Sequence, residues 1–426
     1  MTAWRDEGRM TLAPSPKGTS AGVEPYYTWQ TLEAALGGPR LAAESIRWAG
    51  KPGLEAWDTL RPSTRLLAEE MSSVEPGQRV LDLRCGAGVC GVLAARRGAD
   101  VTLCDDSLVA VEAARRTLAL NGVNGHLIHG HDVTGSTANS LFDLVLLDAP
   151  RGREWVRHLL ILVARVLRPG GRFLLAGPNR GGIKGFIDDA GDLVGPCEVT
   201  RVKAGNRLAV AVASDTCTVP KGDKCRCQRA AVSEPWSTGG SQISEAVIRG
   251  RTIRFATGPG VFSRGELDAG SRALIETMVI RPGEAVLDLG CGCGVVGAVA
   301  AQMGGKVVCV DSSAIALQAT RATCELNDVM ECVQVLASDG ASAVRDRRFV
   351  VVATNPPFHQ GLGVEHDTAQ QFVRDAAHVL NQDGKLYLVA NRFIRYERMM
   401  SELFSRVTTA YEDNRFHVLV AEGRVR

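Results

Sequence analysis

The segment from Val351 to Gly361 has the residue types for chemistry, because an apolar run ends there in Asn355-Pro356-Pro357-Phe358. Two prolines in succession fix φ twice and remove two backbone donors, so the loop is stiff and its carbonyl oxygens stay available. The Asn355 amide and the Pro356 carbonyl can accept N–H bonds from a planar base that bears an exocyclic amine, while Phe358 stacks on its ring. We therefore predict these four residues as the catalytic set for methylating an amino group. A strand followed by a proline-rich turn explains the tetrapeptide equally well when it is taken alone.

A glycine-rich turn supplies a candidate cofactor site. The segment Asp288–Gly294 follows an apparent strand and opens an apparent helix. Glycines there let the backbone turn tightly and approach a ligand, and the helix N-terminus presents N–H groups without intrahelical partners. The predicted cofactor-binding residues are Asp288, Gly290, Cys291, Gly292, Gly294, Asp311, Ser312, Asp339 and Asn355.

Two cofactors fit a glycine turn of this kind. Gly292, Gly294 and Gly297 satisfy G-x-G-x-x-G, and Asp311 lies at a suitable distance for a ribose contact, so a nicotinamide dehydrogenase is one interpretation. That interpretation leaves the Asn355–Phe358 loop unexplained.

Three features favour S-adenosylmethionine as the cofactor. Asp288, two residues before the first glycine, can serve the cationic amino-acid end of that molecule. Asp339, after the third strand, can accept from an adenine amine. The fourth strand ends in the amine-holding loop rather than in a histidine or tyrosine suited to hydride transfer. Because a lone Asp at a strand end is more often a turn residue, the joint occurrence at four strand ends carries the inference.

The segments that must position these residues occur twice in the chain. The segment Val80–Gly91 recurs as Val286–Gly297, 206 residues later, and the register is kept from Pro52-Gly53 to Leu120-Asn121. A repeat of this length indicates two domains of like fold, and 426 residues is long for a single core.

Each copy alternates short apolar runs with stretches of helical periodicity. This alternation predicts an α/β class with two tandem, Rossmann-like, doubly wound domains and mainly parallel sheets, whose ligands lie at the carboxyl ends of the strands. In the second copy the predicted strands are 285–289, 307–310, 332–336, 350–353, 385–390 and 417–421. The predicted organisation is an irregular lead-in over 1–45, a degenerate domain over 46–213, a linker over 214–240 and a catalytic domain over 241–426.

Composition narrows the class of protein. Hydrophobic residues make up 45% and charged residues 23%, which is typical of globular chains, and the net charge of +2 requires any RNA contact to be a local patch. Residues 1–22 have no apolar core, so we expect neither a signal peptide nor a membrane anchor. Six of the twelve cysteines fall in apparent strands and glycine turns, which favours reduced thiols and a cytoplasmic location. The cluster Cys217, Cys225 and Cys227 lacks the pattern of a zinc site, and no metal is predicted.

The second half resembles the class I methyltransferases. The chain from about Gly50 onward resembles the methyltransferase C family of small-subunit ribosomal RNA guanine-N2 methyltransferases, which carry two tandem domains of this fold. The most specific marks are Pro259–Ser263, Asp288–Gly294 and Thr354–Gly361. This resemblance implies S-adenosylmethionine-dependent methylation of the 2-amino group of a guanine in small-subunit ribosomal RNA. The implied partner is ribosomal RNA or the small ribosomal subunit, and we expect the protein to be a monomer.

By the same resemblance, the guanine amine attacks the sulfonium methyl in line. Acceptance of its N–H bonds by Asn355 and Pro356 lets the nitrogen pyramidalise, and positioning supplies much of the rate. Phe358 is expected to stack on a base that has left its helix. His359 is interpreted as a hydrogen-bonded loop residue in preference to a proton shuttle.

The first copy differs from this pattern in the glycine turn and in the predicted catalytic tetrapeptide. Arg84 stands at the position of Gly290, and Asp148-Ala149-Pro150-Arg151 replaces the catalytic tetrapeptide. We therefore assign the first domain to scaffolding and RNA placement, although Gly86, Gly88 and Asp105 leave residual cofactor binding open. Candidate phosphate contacts, for which a solvated surface is the alternative, are Arg151, Arg153, Arg157, Arg180, Lys184, Arg392, Arg395 and Arg398.

Two other functions remain compatible with the sequence. Amine-methylating enzymes that act on adenine or on protein glutamine have similar loops, so the loop does not separate them from a guanine enzyme. A non-catalytic RNA-binding assembly factor built from inactive methyltransferase domains is the other, and the intact motifs of the second copy argue against it.

Overall fold

Within the residues that the structure describes, each copy of the repeat forms the same series of nine strands and five helices. The computed structural model describes residues 25–37, 44–131, 133, 141–213, 242–261, 265–357 and 363–425, without the side chains of 363–366. The linker predicted over 214–240 lies outside the described residues.

The first domain begins with a short 3-10 turn, Pro25–Tyr27. Its strands are β1 (Gln30–Leu36), β2 (Glu44–Gly50), β3 (Arg79–Leu83), β4 (Asp100–Asp105), β5 (His126–His129), β6 (Phe142–Asp148), β7 (Leu167–Pro178), β8 (Cys197–Lys203) and β9 (Asn206–Val212). Its helices are α1 (Pro62–Glu70), α2 (Val89–Arg96), α3 (Leu108–Leu120), α4 (Arg153–Val166) and α5 (Ile183–Leu193).

The second domain repeats this order. Its strands are β10 (Gln242–Ile248), β11 (Arg251–Thr257), β12 (Ala285–Leu289), β13 (Lys306–Asp311), β14 (Val333–Ala337), β15 (Phe349–Thr354), β16 (Leu380–Asn391), β17 (Phe404–Glu412) and β18 (Phe416–Arg424). Its helices are α6 (Ala269–Thr277), α7 (Val295–Gln302), α8 (Ala314–Leu326), α9 (Gly363–Val379) and α10 (Tyr396–Leu403).

The two main sheets have the same topology. Their strand orders are β5-β4-β3-β6-β7-β9-β8 and β14-β13-β12-β15-β16-β18-β17. The first five strands of each order run parallel, and the last two are antiparallel to their neighbours. The predicted doubly wound, mainly parallel fold is confirmed, and the six strands predicted in the second copy all form.

Burial on both faces explains why the central strands are apolar throughout. The last four residues of β12 are all buried, including the carboxyl-bearing Asp288. Helix α7 is short and nearly free of polar residues because it is enclosed between the sheet and its neighbouring helices, and seven of its eight residues are buried.

The predicted irregular lead-in over residues 1–45 is wrong where the structure describes it. Strand β1 pairs antiparallel with β2, from Gln30 opposite Gly50 to Leu36 opposite Glu44, and β2 packs on α3 of the first domain. The second copy has the matching hairpin of β10 and β11, packed on α8. Both hairpins were missed because each lies outside the main sheet and is held by a helix that is distant in sequence.

The two domains meet at the ends of β4 and β13, around an approximate two-fold axis. Ser107 and Ser313 form an antiparallel bridge at equivalent positions of the two copies. The Leu108 amide donates to the Ser312 carbonyl at 2.8 Å, and the Ala314 amide donates to the Asp106 carbonyl at 2.9 Å. The turn that follows the second strand of each sheet is therefore held by the other domain.

Three further observations bear on the expectations from composition. No helix among the described residues is long and apolar enough to cross a membrane. Within the same residues, no cluster of three or more His, Cys, Asp or Glu side chains is arranged to hold a metal ion. None of the nine cysteines that the structure describes forms a disulfide, whereas Cys217, Cys225 and Cys227 lie outside the described residues.

Candidate active site

The carboxyl ends of four parallel strands place the predicted site residues side by side. Leu289 at the end of β12 pairs with Val310 on one side and with Thr354 on the other, and Asp311 pairs with Ala337. Neighbouring strands lie about 4.8 Å apart. The glycine turn, the acid after β13, the acid after β14 and the loop after β15 therefore share one edge of the sheet.

Asp311 fixes the glycine turn. Its Oδ2 accepts from the Gly292 amide at 3.0 Å, and its Oδ1 accepts from the Ser313 amide at 2.9 Å. Burial raises the pKa of this carboxyl, while the backbone donors oppose that shift. A Cβ added at Gly292, which has φ of +55°, would meet no atom within 4 Å, so the turn faces open space.

Two neighbouring glycines are required by close approach. A Cβ on Gly290 would lie 2.7 Å from Cε2 of Phe372, and one on Gly294 would lie 2.8 Å from Cα of Thr320. Both glycines also have positive φ, which disfavours residues with a Cβ. The turn can therefore pack against α8 and α9 and still present its backbone to a ligand.

Asp288 lies buried beneath the glycine turn rather than at its open side. The residue is 2% exposed, and its Oδ2 accepts from the Gly297 amide at 2.9 Å, inside the first turn of α7. Burial raises the pKa of Asp288 to about 7. Its direct contact with the amino-acid end of a cofactor stays a prediction, whereas its bond to Gly297 explains its place under the loop.

Two other predicted cofactor residues, Cys291 and Ser312, are held by neighbouring groups of the protein. The thiol of Cys291 is buried and lies 3.2 Å from the Thr320 hydroxyl, which also donates to the Gly292 carbonyl at 3.0 Å. The Ser312 carbonyl accepts from the Leu108 amide and lies 3.0 Å from Nε2 of His129, both in the first domain.

The side chain of Asn355 is oriented by two partners in the α6 region. Its Nδ2 donates to Oδ2 of Asp268 at 3.0 Å and to the Ser271 hydroxyl at 2.9 Å. A carboxylate only accepts hydrogen bonds, so the amide nitrogen must face Asp268 and the amide oxygen must face away. Asp268 also caps α6 by accepting from the Ser271 amide at 2.9 Å, which fixes its own position.

The backbone around Asn355 is anchored at the strand end. The Thr354 hydroxyl is fully buried and donates to the Leu289 carbonyl at 2.8 Å, which ties β15 to β12. Pro356 is buried and Pro357 is exposed, so the chain turns outward at this point. The predicted stacking residue Phe358 and the loop histidine His359 lie outside the described residues.

Asp339 is held by side chains of the first domain. Its Oδ2 forms an ion pair with Nζ of Lys51 at 2.9 Å, and its Oδ1 accepts from the Tyr26 hydroxyl at 3.1 Å. The Tyr27 hydroxyl donates to Oδ2 of Asp375 on α9 at 2.6 Å. The predicted adenine contact therefore lies at the boundary between the domains.

The first copy retains the geometry of the turn and places an arginine beside it. Gly86 donates to Asp105 at 2.9 Å, which matches the bond from Gly292 to Asp311. Arg84, with φ of +60°, donates to the Asp148 carbonyl at 3.4 Å and pairs with Glu55 at 3.5 Å. Its side chain thus runs from the glycine turn to the end of β6, where it lines a cavity of about 210 Å³.

The pair formed by Asp268 and Asn355 is altered in the first copy as well. Arg61 occupies the place of Asp268, Asp148 occupies the place of Asn355, and the two form an ion pair at 3.2 Å. Asp148 also accepts from Ser63 and Thr64 at 3.0 and 2.9 Å. The neutral amide of Asn355 is thus replaced by a carboxylate that is already bound to three side-chain donors, Arg61, Ser63 and Thr64.

Some of the candidate phosphate contacts already form ion pairs. Arg153 and Arg157 both bind Asp189, at 2.9 and 2.7 Å, although their own side chains remain 64% and 41% exposed. Arg392 pairs with Glu412 at 2.6 Å and is 55% exposed. These guanidinium groups are accessible, but binding to phosphate would compete with an existing carboxylate.

The residues that position the site from distant parts of the sequence were not predicted. Asp268 and Ser271 lie more than 80 residues before Asn355, and their only signal was the N-cap pattern of a helix. Lys51 and Tyr26 gave no signal, because their partner Asp339 lies about 300 residues away in the other copy.

Comparison with known proteins agrees with this geometry. A sequence model of the family described as "Methyltransferase small domain" matches residues 45–201 and 252–420. The chain belongs to the methyltransferase small domain family.

Individual relatives narrow the similarity. The chain is 30% identical over 321 residues to ribosomal RNA small subunit methyltransferase C of Marinomonas, covering 74% of this chain and 83% of that protein. It is 33% identical over 285 residues to the protein of the same name from Vibrio vulnificus, covering 66% and 77%. A solved structure of the T. thermophilus 16S rRNA N2 methyltransferase RsmC, in complex with AdoMet and guanosine, matches with a TM-score of 0.74 and 30% identity. That match covers 94% of this chain and 99% of the other.

Proposed function

We propose that this protein transfers a methyl group from S-adenosylmethionine to the exocyclic 2-amino group of a guanine in small-subunit ribosomal RNA. The relatives that match over most of both chains are methyltransferases of small-subunit ribosomal RNA, and one of them was solved with AdoMet and guanosine. The second domain carries the reaction, and residues Asn355, Pro356, Pro357 and Phe358 form the catalytic loop.

The observation that supports this proposal most strongly is the orientation of Asn355. Because its amide nitrogen is bound to Asp268 and Ser271, its amide oxygen is directed away from them. That oxygen is a pure acceptor, and an amine of a planar base is the donor that matches it. A carbonyl substituent on the base, such as O6 of guanine, would instead meet an acceptor and be repelled.

The residues of this chain act by binding and orienting the amine. Acceptance of its N–H bonds by Asn355 and by the Pro356 carbonyl draws electron density back onto the nitrogen, which is a weak nucleophile while its lone pair is delocalised into the ring. The stiff proline pair keeps both acceptors in place, so little reorganisation accompanies the reaction. When bound, S-adenosylmethionine supplies an electrophilic methyl group.

The residues after β12, β13 and β14 fit that cofactor. Gly292 presents a backbone with open space before it, and Asp311, which has the acceptor chemistry for a ribose, lies beside it. Asp339 has the acceptor chemistry for the adenine amine. Gly290, Cys291, Gly294 and Ser312 would contribute backbone contacts.

We assign the first domain to scaffolding and RNA placement. In its own site, Arg84 lines the cavity and pairs with Glu55. Its exposed arginines Arg153 and Arg157 lie on α4, whose Trp155 packs against Gly260 of the catalytic domain. This helix therefore stands next to the second domain, where a phosphate contact could orient the RNA strand. We infer a cytoplasmic location, because the proposed substrate is ribosomal RNA. We infer a monomeric protein, because both domains of the pair are supplied by one chain.

The test is transfer of isotopically labelled methyl from S-adenosylmethionine to small ribosomal subunits that lack base methylation, followed by nucleoside analysis of the digested RNA. We expect label in 2-methylguanosine with the wild-type chain and none with Asn355→Ala. Label in N6-methyladenosine or in ribosomal protein would show that the methyl acceptor is an amine other than that of guanine.

A second outcome separates the catalytic proposal from an assembly factor. If the wild-type chain transfers no methyl group and binds no S-adenosylhomocysteine, the tandem domains act without chemistry. If it binds S-adenosylhomocysteine but labels no ribosomal RNA, the cofactor assignment stands and the acceptor is a different molecule.

A further inference from the structure

A buried lysine crosses from the first domain to the cofactor edge of the second. Lys51 follows β2 and is 1% exposed. Its Nζ donates to the Pro52 carbonyl at 2.7 Å and to the Tyr26 carbonyl at 3.3 Å, and it forms the 2.9 Å ion pair with Asp339. A lysine is rarely buried without a charged partner, so the ion pair with Asp339 explains why Lys51 is buried.

Tyr26 is the second residue of the first domain that binds the Asp339 side chain. Its hydroxyl donates to Oδ1, while Nζ of Lys51 donates to Oδ2, so both carboxylate oxygens are bound by residues of the first domain. The Tyr26 ring also lies 3.9 Å from Nζ, in position for a cation–π contact. Burial raises the pKa of Tyr26 well above its ordinary range, and the phenol therefore keeps the proton that it donates.

The next residue holds the segment around Asp339. Besides its bond to Asp375, the Tyr27 hydroxyl lies 3.3 Å from the Asp339 carbonyl oxygen. Asp375 accepts from the Ala341 amide at 2.8 Å, two residues after Asp339. The 3-10 turn Pro25–Tyr27 thereby contacts the Asp339 segment and α9 together.

This arrangement has no counterpart across the approximate two-fold axis. Gly258 occupies the position of Lys51 in the second copy and offers no side chain to the first domain. The first domain therefore contributes a charged group to the second domain's cofactor edge, and among the described residues it receives no equivalent lysine in return. This one-way contact matches a division in which only the second domain needs a working cofactor site.

We propose that Lys51 and Tyr26 are positioning residues for cofactor recognition in the second domain: they hold the Asp339 carboxylate so that its remaining lone pairs accept the adenine amine. The inference rests on the proposed cofactor of that domain. Each carboxylate oxygen has two lone pairs, and one on each is occupied by the first domain. The direction of those that remain is then set by the interface, and an Asp339 without these partners is free to turn.

The distinguishing measurement is a ratio of two dissociation constants on the full-length protein. S-adenosylhomocysteine carries an amine at C6 of its base, whereas S-inosylhomocysteine carries an oxo group that cannot donate to a carboxylate. We expect the wild-type chain to favour the adenine compound by roughly tenfold or more, the range of one hydrogen bond to a charged group. Lys51→Met, which keeps an apolar stem of similar length, should reduce this preference to about twofold.

Two further variants make the result decisive. Tyr26→Phe removes one hydrogen bond with a minimal change in shape, so it tests the same idea if Lys51→Met folds poorly, and it should reduce the preference by several fold. Lys203→Met is the matched control, because Lys203 also lies in the first domain but pairs, at 3.5 Å, with Glu69 of that same domain. A merely structural loss weakens both ligands together and leaves the ratio unchanged.

An unchanged ratio in both Lys51→Met and Tyr26→Phe would overturn the inference. If Asp339→Asn abolishes the preference in that case, adenine recognition by Asp339 stands without help from the first domain. Absence of S-adenosylhomocysteine binding to the wild-type chain would instead reject the proposed cofactor, so failure of the two proposals can be told apart.

Discussion

The amide nitrogen of Asn355 lies 3.0 Å from Oδ2 of Asp268, and this contact turns the amide oxygen away from α6. The same Asp268 oxygen accepts from the Ser271 amide at the start of α6. Orientation of the Asn355 side chain is thus coupled to the cap of a helix that precedes the whole sheet. In the first copy the corresponding pair is Arg61 and Asp148, which form an ion pair and present no free amide.

Removal of the catalytic amide should separate transfer from cofactor binding. We expect Asn355→Ala to abolish methyl transfer, because the amine loses its main acceptor, and to leave the affinity for S-adenosylhomocysteine within a few fold. Calorimetric titration and single-turnover transfer measure the two effects on the same preparation. Loss of cofactor affinity in this variant would contradict the assigned role.

Asp268→Asn tests the orientation itself. Asparagine caps helices about as well as aspartate, so α6 should remain intact. The substituted amide can donate as well as accept, which allows Asn355 to turn its nitrogen toward the substrate. We expect the rate of the chemical step to fall by roughly tenfold or more, with cofactor affinity retained. A rate equal to that of the wild-type chain would show that the orientation of Asn355 does not depend on the carboxylate.

Gly292→Arg should block the cofactor without unfolding the protein. A side chain at Gly292 enters open space, and the first copy already tolerates Arg84 at a similar backbone conformation, with φ of +60° against +55°. The expected cost in stability is that of one left-handed residue, about 1–2 kcal/mol. Calorimetry should find no S-adenosylhomocysteine binding, while thermal melting remains cooperative. Unchanged binding would place the cofactor elsewhere.

Each chain should bind one cofactor molecule. In the first domain, Arg84 spans the interval from the glycine turn to the end of β6, where the second domain has a bare glycine. Its pairing with Glu55 holds it there. Equilibrium dialysis with labelled S-adenosylmethionine should give a stoichiometry near one. A stoichiometry of two would show that the arginine moves aside and that the first domain keeps a cofactor site.

Stability should decrease from mildly acidic to neutral pH because of two equivalent carboxyls. Burial raises the pKa values of Asp82 and Asp288 to about 7 in the folded chain, whereas an unfolded aspartate ionises near pH 4. Ionisation is therefore harder in the folded state. The associated stabilisation is fully present below pH 4, is lost as the pH rises to about 7, and is constant above it.

Asp288→Asn provides the check on this pH dependence. The substituted residue does not ionise, so its share of the slope should disappear, an effect on the order of 1 kcal/mol per pH unit between about pH 5 and about pH 7. Urea denaturation midpoints across that range, compared with the wild-type chain, measure the difference. A parallel slope in both proteins would show that Asp288 ionises freely in the fold.

Several features of the fold could be predicted because their causes are local. The duplicated strand, glycine turn and helix follow from apolar runs and from glycines that adopt positive φ, and the predicted strands of the second copy all form. The two hairpins, from Gln30 to Gly50 and from Gln242 to Thr257, were not predicted, because their strands pack on helices far along the chain rather than on the main sheets.

By itself the sequence determined the duplicated fold, the four strand ends that carry the candidate site, and the inequality of the two copies at Arg84 and Asp148. These are matters of residue type and spacing along one chain. Only the tertiary structure decided that Asp268 orients Asn355, that Asp288 lies under the glycine turn, and that Lys51 of one copy binds Asp339 of the other. Hydrogen bonds and ion pairs depend on distances of about 3 Å between residues that the sequence separates by tens to hundreds of positions.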